Sequence, residues 1–343
     1  MCLEPERVKY LNFKVLLTES ISPVGIDLLQ KKARVVIAPS PSEDDLLPLI
    51  GDADALLIRS SRITARLMEA GKRLKVIGRH GIGLDNIDLQ SATRLGIAVV
   101  HTPGANTNAV AEHTLWAMLH CARNFNKAEK AFRQGEFCAA GSLPGLVQKL
   151  GYTTLELKGK VLGLVGLGRI ACRVAEIAGK CLYMRVKAYD PLVSESVFKS
   201  AGVERCQSLD DVLRDSDFIS LHVPYTKDTH HLVGERELFL VKPTAYLINT
   251  SRGGIVDEEA LYRALKEGRL AGAALDVFER EPPGKDMPLF ELDNVLLTPH
   301  MAAMSDLALI NMATDVSQGI LDVLEGRRPQ YLANPEVWES HLL

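Results

Sequence analysis

The 343-residue chain is long enough for two domains, since compact domains usually contain about 100 to 200 residues. Its hydrophobic share of 47% and net charge of -3 are those of an ordinary globular protein, and this charge excludes a general binder of nucleic acid backbones. No apolar run reaches the roughly 20 residues of a membrane span, and residues 1–11 carry charges without the apolar core of a signal peptide. We therefore expect a cytoplasmic protein with neither a membrane nor a nucleic acid as partner.

The six cysteines, at positions 2, 121, 138, 172, 181 and 206, form no C-x-x-C pair and no spacing typical of metal ligands. This distribution indicates a reduced compartment and predicts neither a disulfide framework nor a metal site.

The first hundred residues alternate short apolar runs, typical of buried strands, with amphipathic stretches, typical of helices. Strands are predicted over 14–17, 34–37, 55–58, 75–78 and 98–100, and helices over 22–31, 64–70 and 88–95. This alternation predicts a parallel, doubly wound α/β sheet. A longer helical pattern follows over 106–133, and its length suits a bridge between two domains.

A second alternating series begins after residues 135–158, which contain glycines and a proline without clear periodicity and are predicted to form a long loop. Strands are predicted over 161–165, 186–189, 218–221, 245–249, 271–275 and 295–297, which is the number that completes a nucleotide-binding sheet. The last periodic segment, 305–325, predicts a long helix that ends at Gly326. The fold class predicted for the chain is α/β with two doubly wound, Rossmann-like parallel sheets.

A phosphate-binding turn is predicted where the strand 161–165 runs into Gly166-Leu-Gly168-Arg-Ile-Ala171. Gly166 permits the tight turn, Gly168 lets a pyrophosphate approach the backbone, and Ala171 is small enough for the next helix to pack on the strand. Asp190, at the end of the following strand, has the type and spacing of the acid that binds the adenosine ribose of NAD. Because a carboxylate repels the 2'-phosphate of NADP, these features predict NAD as the cofactor.

Three polar side chains with complementary chemistry follow strands of the second series. Arg252, Glu281 and His300 come after the fourth, fifth and sixth of these strands. The carboxyl ends of strands are where open α/β sheets bind ligands. An arginine binds a carboxylate at two points, a carboxylate orients an imidazole, and a histidine moves a proton.

Taken in order, these motifs resemble the D-isomer-specific 2-hydroxyacid dehydrogenases. The resemblance rests on Gly166-x-Gly168, Asp190-Pro191, Leu221-His-Val-Pro224, Asn249-Thr-Ser-Arg-Gly-Gly254, Asp276-Val-Phe-x-x-Glu-Pro282 and Thr298-Pro-His300, and in the first domain on 58–60, 79–88 and 102–112. It covers residues 14–330, and within the family the similarity is greatest to the D-3-phosphoglycerate dehydrogenases.

The resemblance implies an NAD-dependent oxidoreductase that transfers a hydride between NAD and a D-2-hydroxy acid. His300 would be the acid/base, Glu281 its orienting partner, and Arg252 the anchor for the substrate's carboxylate and C2 oxygen. The implied cofactor site contains Gly166, Gly168, Arg169, Ile170, Asp190, Val223, Pro224, Thr229, Thr250, Ser251, Asp276 and Ala302. The implied substrate site adds Arg59, Ser60, Arg79, Gly81, Ile82, Gly83 and Asn106.

The resemblance also implies a discontinuous substrate-binding domain formed by 1–105 and 304–343, and an NAD-binding domain formed by 106–303. Substrate would bind in the cleft, and the NAD-binding domain would assemble a homodimer or homotetramer. The segment 139–153 is longer than the family's usual link and is interpreted as an arm at a subunit contact. Since the chain stops soon after residue 330, we expect none of the C-terminal regulatory domain that some members carry.

Three functions are compatible with these residues. Oxidation of D-3-phosphoglycerate is favoured by Arg59 and Arg79, because a phosphate or sulfonate on C3 would give them a charged partner. The first alternative is a reductase of hydroxypyruvate, glyoxylate or another 2-oxoacid, including a sulfonated one. The second is an NAD-sensing co-repressor, which shares the fold and the Arg, Glu and His, but the sequence has neither its peptide-docking groove nor its disordered tails.

Overall fold

The computed structural model describes residues 13–138, 141, 143–151 and 154–340. Within the segment 139–153 that was interpreted as an arm, residues 139, 140, 142, 152 and 153 therefore lie outside the described residues.

The first part of the chain alternates strands and helices as predicted. Strands β1 to β5 are Phe13–Leu17, Ala33–Ile37, Ala55–Ile58, Val76–Arg79 and Ala98–Val100, and helices α1 to α4 are Pro23–Gln30, Glu43–Ile50, Ala65–Ala70 and Leu89–Arg94. All five predicted strands are confirmed. Helix α2 is not among the predicted helices because Pro48 interrupts its pattern, although Ser42 and the three carboxylates of its first turn are helix-start signals.

The prediction of one long helix over 106–133 is wrong. Two helices occupy it, α5 at Thr107–Arg123 and α6 at Phe125–Arg133. Asn124 separates them with a φ of 48°, a left-handed conformation that asparagine adopts more readily than most residues. The prediction of a loop over 135–158 is also wrong in part, since helix α7 forms at Leu143–Lys149.

The second alternating series contains seven strands and five helices. Strands β6 to β12 are Val161–Val165, Arg185–Tyr189, Glu204–Arg205, Phe218–Leu221, Tyr246–Asn249, Gly272–Leu275 and Val295–Leu297. Helices α8 to α12 are Arg169–Lys180, Glu195–Ala201, Leu209–Asp215, Glu235–Leu240 and Glu258–Lys266, and the chain continues with α13 at Asp306–Leu324 and α14 at Glu336–Ser340. The six predicted strands are confirmed. Strand β8 was missed because its two residues are exposed and carry no apolar signal.

The strands form two sheets in which every pair of named strands is parallel. The five-stranded sheet has the order β2-β1-β3-β4-β5, and the seven-stranded sheet has the order β12-β11-β10-β9-β6-β7-β8. This confirms the predicted fold class. Because parallel strands all end at one edge of their sheet, the loops that follow β9, β10, β11 and β12 are neighbours.

The chain divides into two compact units. Unit 1 takes in the described residues up to Asn106 and from Met304 onward and contains the five-stranded sheet. Unit 2 is Thr107–Ala303 and contains the seven-stranded sheet.

Helix α13 is a core helix of unit 1. By length and composition alone it could cross a membrane, but its face of Ala313, Val316, Ile320 and Leu321 is buried in the core between it and the strands. It lies so close to β4 that a Cβ on Gly78 would be 2.5 Å from the Ile320 side chain and 2.8 Å from that of Val316. Glycine at this position is therefore a packing requirement.

We expect Gly78→Val to lower the free energy of unfolding by about 1 to 3 kcal/mol, since added methyl groups overpack the contact with α13. Gly284→Val is the matched control, because no atom lies within 4 Å of its Cβ position, and it should change stability by no more than about 0.5 kcal/mol. Urea unfolding measures both variants. Equal losses in the two would contradict this account of the packing.

Candidate functional site

The turn between β6 and α8 has the geometry of a phosphate-binding turn. Gly166 has a φ of 91°, and a Cβ there would lie 2.6 Å from the carbonyl oxygen of His222, so a glycine is required. Gly168 precedes α8, and no atom lies within 4 Å of its Cβ position. No side chain caps the start of α8, and the amides of its first turn point toward the place where an anion would bind.

Asp190 lies beside this turn. The Leu167 N–H donates to its Oδ2 at 2.8 Å, and the Leu192 N–H donates to its Oδ1 at 2.9 Å. A carboxylate accepts about four hydrogen bonds, so both oxygens keep capacity for the ribose hydroxyls. The turn, the start of α8 and Asp190 together fit the pyrophosphate and adenosine ribose of NAD.

The other predicted cofactor residues of unit 2 lie at the same edge of the seven-stranded sheet. Two begin α8, two follow β9, two follow β10 and one is in the loop after β12: Arg169, Ile170, Val223, Pro224, Thr250, Ser251 and Ala302. Thr229 is held by its own loop, since its hydroxyl donates to the Pro224 carbonyl at 2.7 Å and accepts from the Thr226 N–H at 2.8 Å.

Arg252 follows β10 in a loop that Asn249 organises. The Asn249 amide nitrogen donates to the Arg252 carbonyl at 2.8 Å, and its Oδ1 accepts from the Ser251 N–H at 3.1 Å and hydroxyl at 2.8 Å. The half-buried guanidinium donates to the Ser251 carbonyl at 2.7 Å. A Cβ on Gly253 would lie 1.8 Å from the carbonyl carbon of Phe278, so this loop packs directly against the loop that follows β11.

His300 and Glu281 form a hydrogen-bonded pair, with His300 Nδ1 2.7 Å from Glu281 Oε2. The other oxygen, Oε1, accepts from the Phe278 N–H at 3.1 Å. Burial of the Glu281 carboxyl opposes its ionisation, but the His300 bond, the Phe278 bond and the charges of His300 and Arg252 outweigh it and hold the pKa of Glu281 below its ordinary value. Glu281 is therefore a carboxylate at neutral pH.

The carboxylate of Asp276 organises the loop that carries His300. Asp276 is 1% exposed, and its Oδ1 accepts from the Thr298 hydroxyl at 2.6 Å and the Met301 N–H at 2.9 Å. Its Oδ2 accepts from the Ala302 N–H at 2.8 Å, and its main-chain carbonyl accepts from the His300 N–H at 2.8 Å. Asp276 and Ala302, both predicted to contact the cofactor, are thus partners of each other.

Sequence reasoning missed His113 of α5 as a member of this site. Its Nε2 lies 3.2 Å from Thr298 Oγ1 and 3.7 Å from Asp276 Oδ1. Burial lowers the pKa of His113 more than Asp276 raises it, so the ring is neutral at neutral pH. Nothing in the helical pattern around Thr114 distinguishes His113 from a surface residue, and the contact depends on how α5 packs on the sheet.

In unit 1 most of the predicted substrate residues lie at the carboxyl ends of β3 and β4, where Arg79 is the last residue of β4. Arg59 Nη1 donates to the Ser20 carbonyl at 3.4 Å, and Nη2 lies 3.7 Å from Met304 Sδ. The Ser60 N–H and hydroxyl both donate to the Glu19 carboxylate at 3.1 Å. Glu19 and Met304 were not predicted as members of this site, and they contact Ser60 and Arg59, respectively.

Arg79 folds back on the glycine loop after β4. Its Nε donates to the Gly83 carbonyl at 2.9 Å, and its Nη1 donates to the His80 carbonyl. The Gly81 N–H donates to the Arg79 carbonyl at 2.9 Å, and Gly81 has a φ of 140°. The Gly81 amide is thus engaged within the loop and does not point to a substrate in this conformation.

A cavity of about 380 Å³ lies at the carboxyl ends of β1, β3 and β4, between β1 and β3 where the strand order of the five-stranded sheet reverses. Open α/β sheets bind ligands at such positions. Its lining includes Ser20, Ile21, Arg59, His80, Met304 and Leu309. Asn106, the last predicted substrate residue, is 6% exposed, and its Oδ1 has no hydrogen-bond partner within the described part of the chain.

Comparison with known proteins identifies the family. A family model described as D-isomer specific 2-hydroxyacid dehydrogenase, NAD binding domain, matches residues 115–302. The chain is 42% identical over 333 residues to a glyoxylate reductase of Thermofilum pendens, covering 94% of this chain and 95% of that relative. It is 41% identical over 322 residues to a D-3-phosphoglycerate dehydrogenase of Methanocaldococcus jannaschii, covering 94% of this chain but only 59% of that relative.

The chain thus spans about three fifths of the length of that phosphoglycerate dehydrogenase. Among solved structures, the D-lactate dehydrogenase from Aquifex aeolicus complexed with NAD and lactic acid matches with a TM-score of 0.82 and 30% identity, over 94% of this chain and 99% of that one. The chain belongs to the D-isomer-specific 2-hydroxyacid dehydrogenase family, and unit 2 contains its NAD-binding domain.

Proposed function

We propose that the protein is an NAD-dependent dehydrogenase of a D-2-hydroxy acid, with His300 as its acid/base. The observation that carries this proposal is the 2.7 Å hydrogen bond between His300 and Glu281. It occurs beside Arg252 and in the same unit as the phosphate-binding turn. Asp190 favours NAD over NADP, because its carboxylate repels a 2'-phosphate.

In this mechanism Arg252 binds the carboxylate and C2 oxygen of the substrate. Because His300 Nδ1 is bonded to Glu281, its Nε2 exchanges the proton with the C2 hydroxyl. In oxidation the imidazole takes this proton and becomes a cation, which the Glu281 carboxylate stabilises, and in reduction the proton returns. Bound NAD supplies the nicotinamide ring that accepts the hydride from C2 or gives it back.

The substrate that we propose is D-3-phosphoglycerate or a D-2-hydroxy acid with a similar distal anion. Arg59 supports it, since its guanidinium lines the cavity of unit 1 and can make charge-assisted hydrogen bonds. Reduction of a small 2-oxoacid such as glyoxylate or hydroxypyruvate is the second candidate. Two contacts favour this candidate, because both make the surroundings of Arg59 less suited to a distal anion. The Met304 sulfur lies against Nη2 of Arg59, and the negative Glu19 carboxylate binds the neighbouring Ser60.

We also propose a homodimer in the cytoplasm. Helices α5 and α6 and the start of α7 carry large apolar side chains that are between 41% and 61% exposed in the single chain, namely Trp116, Leu119, Phe125, Phe132 and Leu143. An exposed apolar patch of this kind is typical of a protein interface. A second copy of unit 2 would cover it, as a two-fold contact requires the same surface on both chains.

We expect His300→Ala to lower kcat about 100- to 10,000-fold, because it removes the group that exchanges the proton. Glu281→Gln should lose less and move the acidic limb of the oxidation profile to lower pH, because the imidazolium loses its carboxylate partner. The rate of the change in absorbance at 340 nm, recorded across pH with a panel of 2-hydroxy acids, 2-oxoacids and both cofactors, measures kcat and its pH profile. Glu279→Gln is the matched control, since the Glu279 carboxylate forms a similar pair with a different histidine, His231, at 2.9 Å. A His300→Ala variant with normal kcat would exclude the mechanism.

Arg59→Ala should raise KM for 3-phosphoglycerate at least about tenfold, which is about 1.4 kcal/mol of binding, and barely change KM for glyoxylate or lactate. Arg79→Ala is a less selective test, because Arg79 holds the 81–83 loop and its loss should affect every substrate. Steady-state kinetics of both variants with 3-phosphoglycerate and with a small 2-oxoacid or 2-hydroxy acid measures these changes in KM. If Arg59→Ala affected both types equally, the small-oxoacid reductase would be favoured instead.

Sedimentation equilibrium should give twice the mass of one chain, and Phe132→Asp should shift the protein toward a monomer. The reason is that a charge buried in an apolar contact loses its hydration without gaining a partner. Leu192→Asp is the matched control, because Leu192 is 91% exposed and lies outside α5 to α7. A monomeric wild-type chain at all concentrations would rule the dimer out.

A further inference from the structure

A chain of three hydrogen-bonding groups runs from α5 into the loop that carries His300. Thr298 Oγ1 donates to Asp276 Oδ1 at 2.6 Å, so the hydroxyl proton is used in this bond. Thr298 Oγ1 can then only accept from His113, whose Nε2 lies 3.2 Å away. The chain therefore runs in one direction, from the Nε2–H of a neutral His113 through Thr298 to the Asp276 carboxylate.

We propose that Thr298 and His113 are positioning residues for His300, acting through Asp276. This rests on the proposed function, in which His300 is the acid/base. Thr298 lies on one side of His300 in the sequence, and the other two donors to Asp276 lie on the opposite side. Fixing the orientation of this one carboxylate therefore fixes both ends of the short segment that presents the imidazole.

The backbone of His300 makes this support necessary. Its φ of 50° lies in the left-handed region, which costs energy for residues other than glycine, so contacts around His300 are needed to hold it. The His300 N–H donates to the Asp276 carbonyl at 2.8 Å, so the same residue holds the main chain at this point. If the Asp276 side chain turns, Met301 and Ala302 lose their acceptor and the direction of the imidazole changes.

Burial strengthens the hydrogen bonds that join these three groups. Asp276 is 1% exposed and the His113 side chain is 13% exposed, and in such surroundings successive hydrogen bonds polarise one another. Without the Thr298 hydroxyl, Asp276 Oδ1 keeps only the Met301 N–H among its partners, and the His113 N–H faces a methyl group. Both changes favour another orientation of the carboxylate.

The main test compares Thr298→Val, which removes the hydroxyl at almost constant volume, with Thr298→Ser, which keeps it. Thr314→Val is the matched control, because within the described part of the chain the Thr314 hydroxyl bonds in its own helix, to the Ile310 carbonyl at 2.9 Å. With the best substrate of the panel, kcat should fall at least about tenfold in Thr298→Val and stay within about threefold in Thr298→Ser, since a displacement of about 1 Å at the reacting group costs this much or more. Thr314→Val should leave kcat unchanged.

A purely structural hydroxyl would behave differently. It would lower the unfolding free energy in urea while leaving kcat per folded molecule unchanged, whereas a positioning role lowers kcat in a protein that is still folded. The proposal fails if Thr298→Val keeps its kcat, or if Thr298→Ser loses as much kcat as Thr298→Val. If Thr298→Val does not fold, His113→Leu takes its place in the comparison.

A double-mutant cycle tests whether His113 and Thr298 act through one chain. His113→Leu should lower kcat in the same direction, and adding it to Thr298→Val should cause little further loss, because both substitutions break the same sequence of bonds. Losses that multiply in the double variant would mean that the residues act independently, and that outcome overturns the proposal.

A last measurement needs no turnover. In crystal structures the distance from His300 Nδ1 to Glu281 Oε2, here 2.7 Å, should exceed about 3.5 Å in Thr298→Val and remain a hydrogen bond in Thr298→Ser. If the wild-type protein oxidised or reduced no substrate of the panel, the proposed function would fail, yet this distance would still decide whether Thr298 positions His300. An unchanged distance in Thr298→Val would count against the proposal even in an active enzyme.

Discussion

Parallel pairing of the strands is the constraint on which the rest of this molecule depends. Two parallel neighbours cannot be joined by a hairpin, so the chain must return across a face of the sheet after each strand, and it does so mostly through helices. The strands of the seven-stranded sheet then all end at one edge of it, with β12, β11 and β10 adjacent. Arg252, Glu281 and His300 come from three distant places in the sequence and share one site because their loops leave these three strands.

Strand order explains which side chains meet, but not how their loops are held. Those loops are supported by polar groups that accept main-chain N–H donors: Asn249 organises the turn of Arg252, and Asp276 organises the turn of His300. Close backbone contact at Gly253 then brings the loop of Arg252 against that of Glu281. The geometry of the site therefore depends on residues at strand ends that need not touch a substrate.

The sequence predicts the strands well where they are buried, because a run such as 161–165 leaves little alternative in a globular chain. The prediction fails where the apolar pattern is misleading or missing. Asn124 breaks a helix although the apolar pattern continues through it, and β8 has no buried side chain to signal a strand. In the site, residue types at strand ends indicated His300 and its neighbours. The contact from His113 depends on the packing of α5 on the sheet, and the folded-back position of Arg79 depends on the glycine loop it closes, so neither follows from spacing.

The two carboxylates near His300 have opposite surroundings, and this difference divides the work between them. Asp276 is buried, and a carboxylate in such surroundings needs several hydrogen-bond donors. The bonds that satisfy it, from Thr298, Met301 and Ala302, are the same bonds that order the His300 loop. Glu281 is 37% exposed, where an ion pair contributes little to folding stability. Its bond to His300 can therefore strengthen when the imidazole takes a proton and weaken when it gives the proton up, without disturbing the loop. In the proposed mechanism, the buried Asp276 carboxylate would hold the geometry of the loop, and the partly solvated Glu281 carboxylate would respond to the proton on His300.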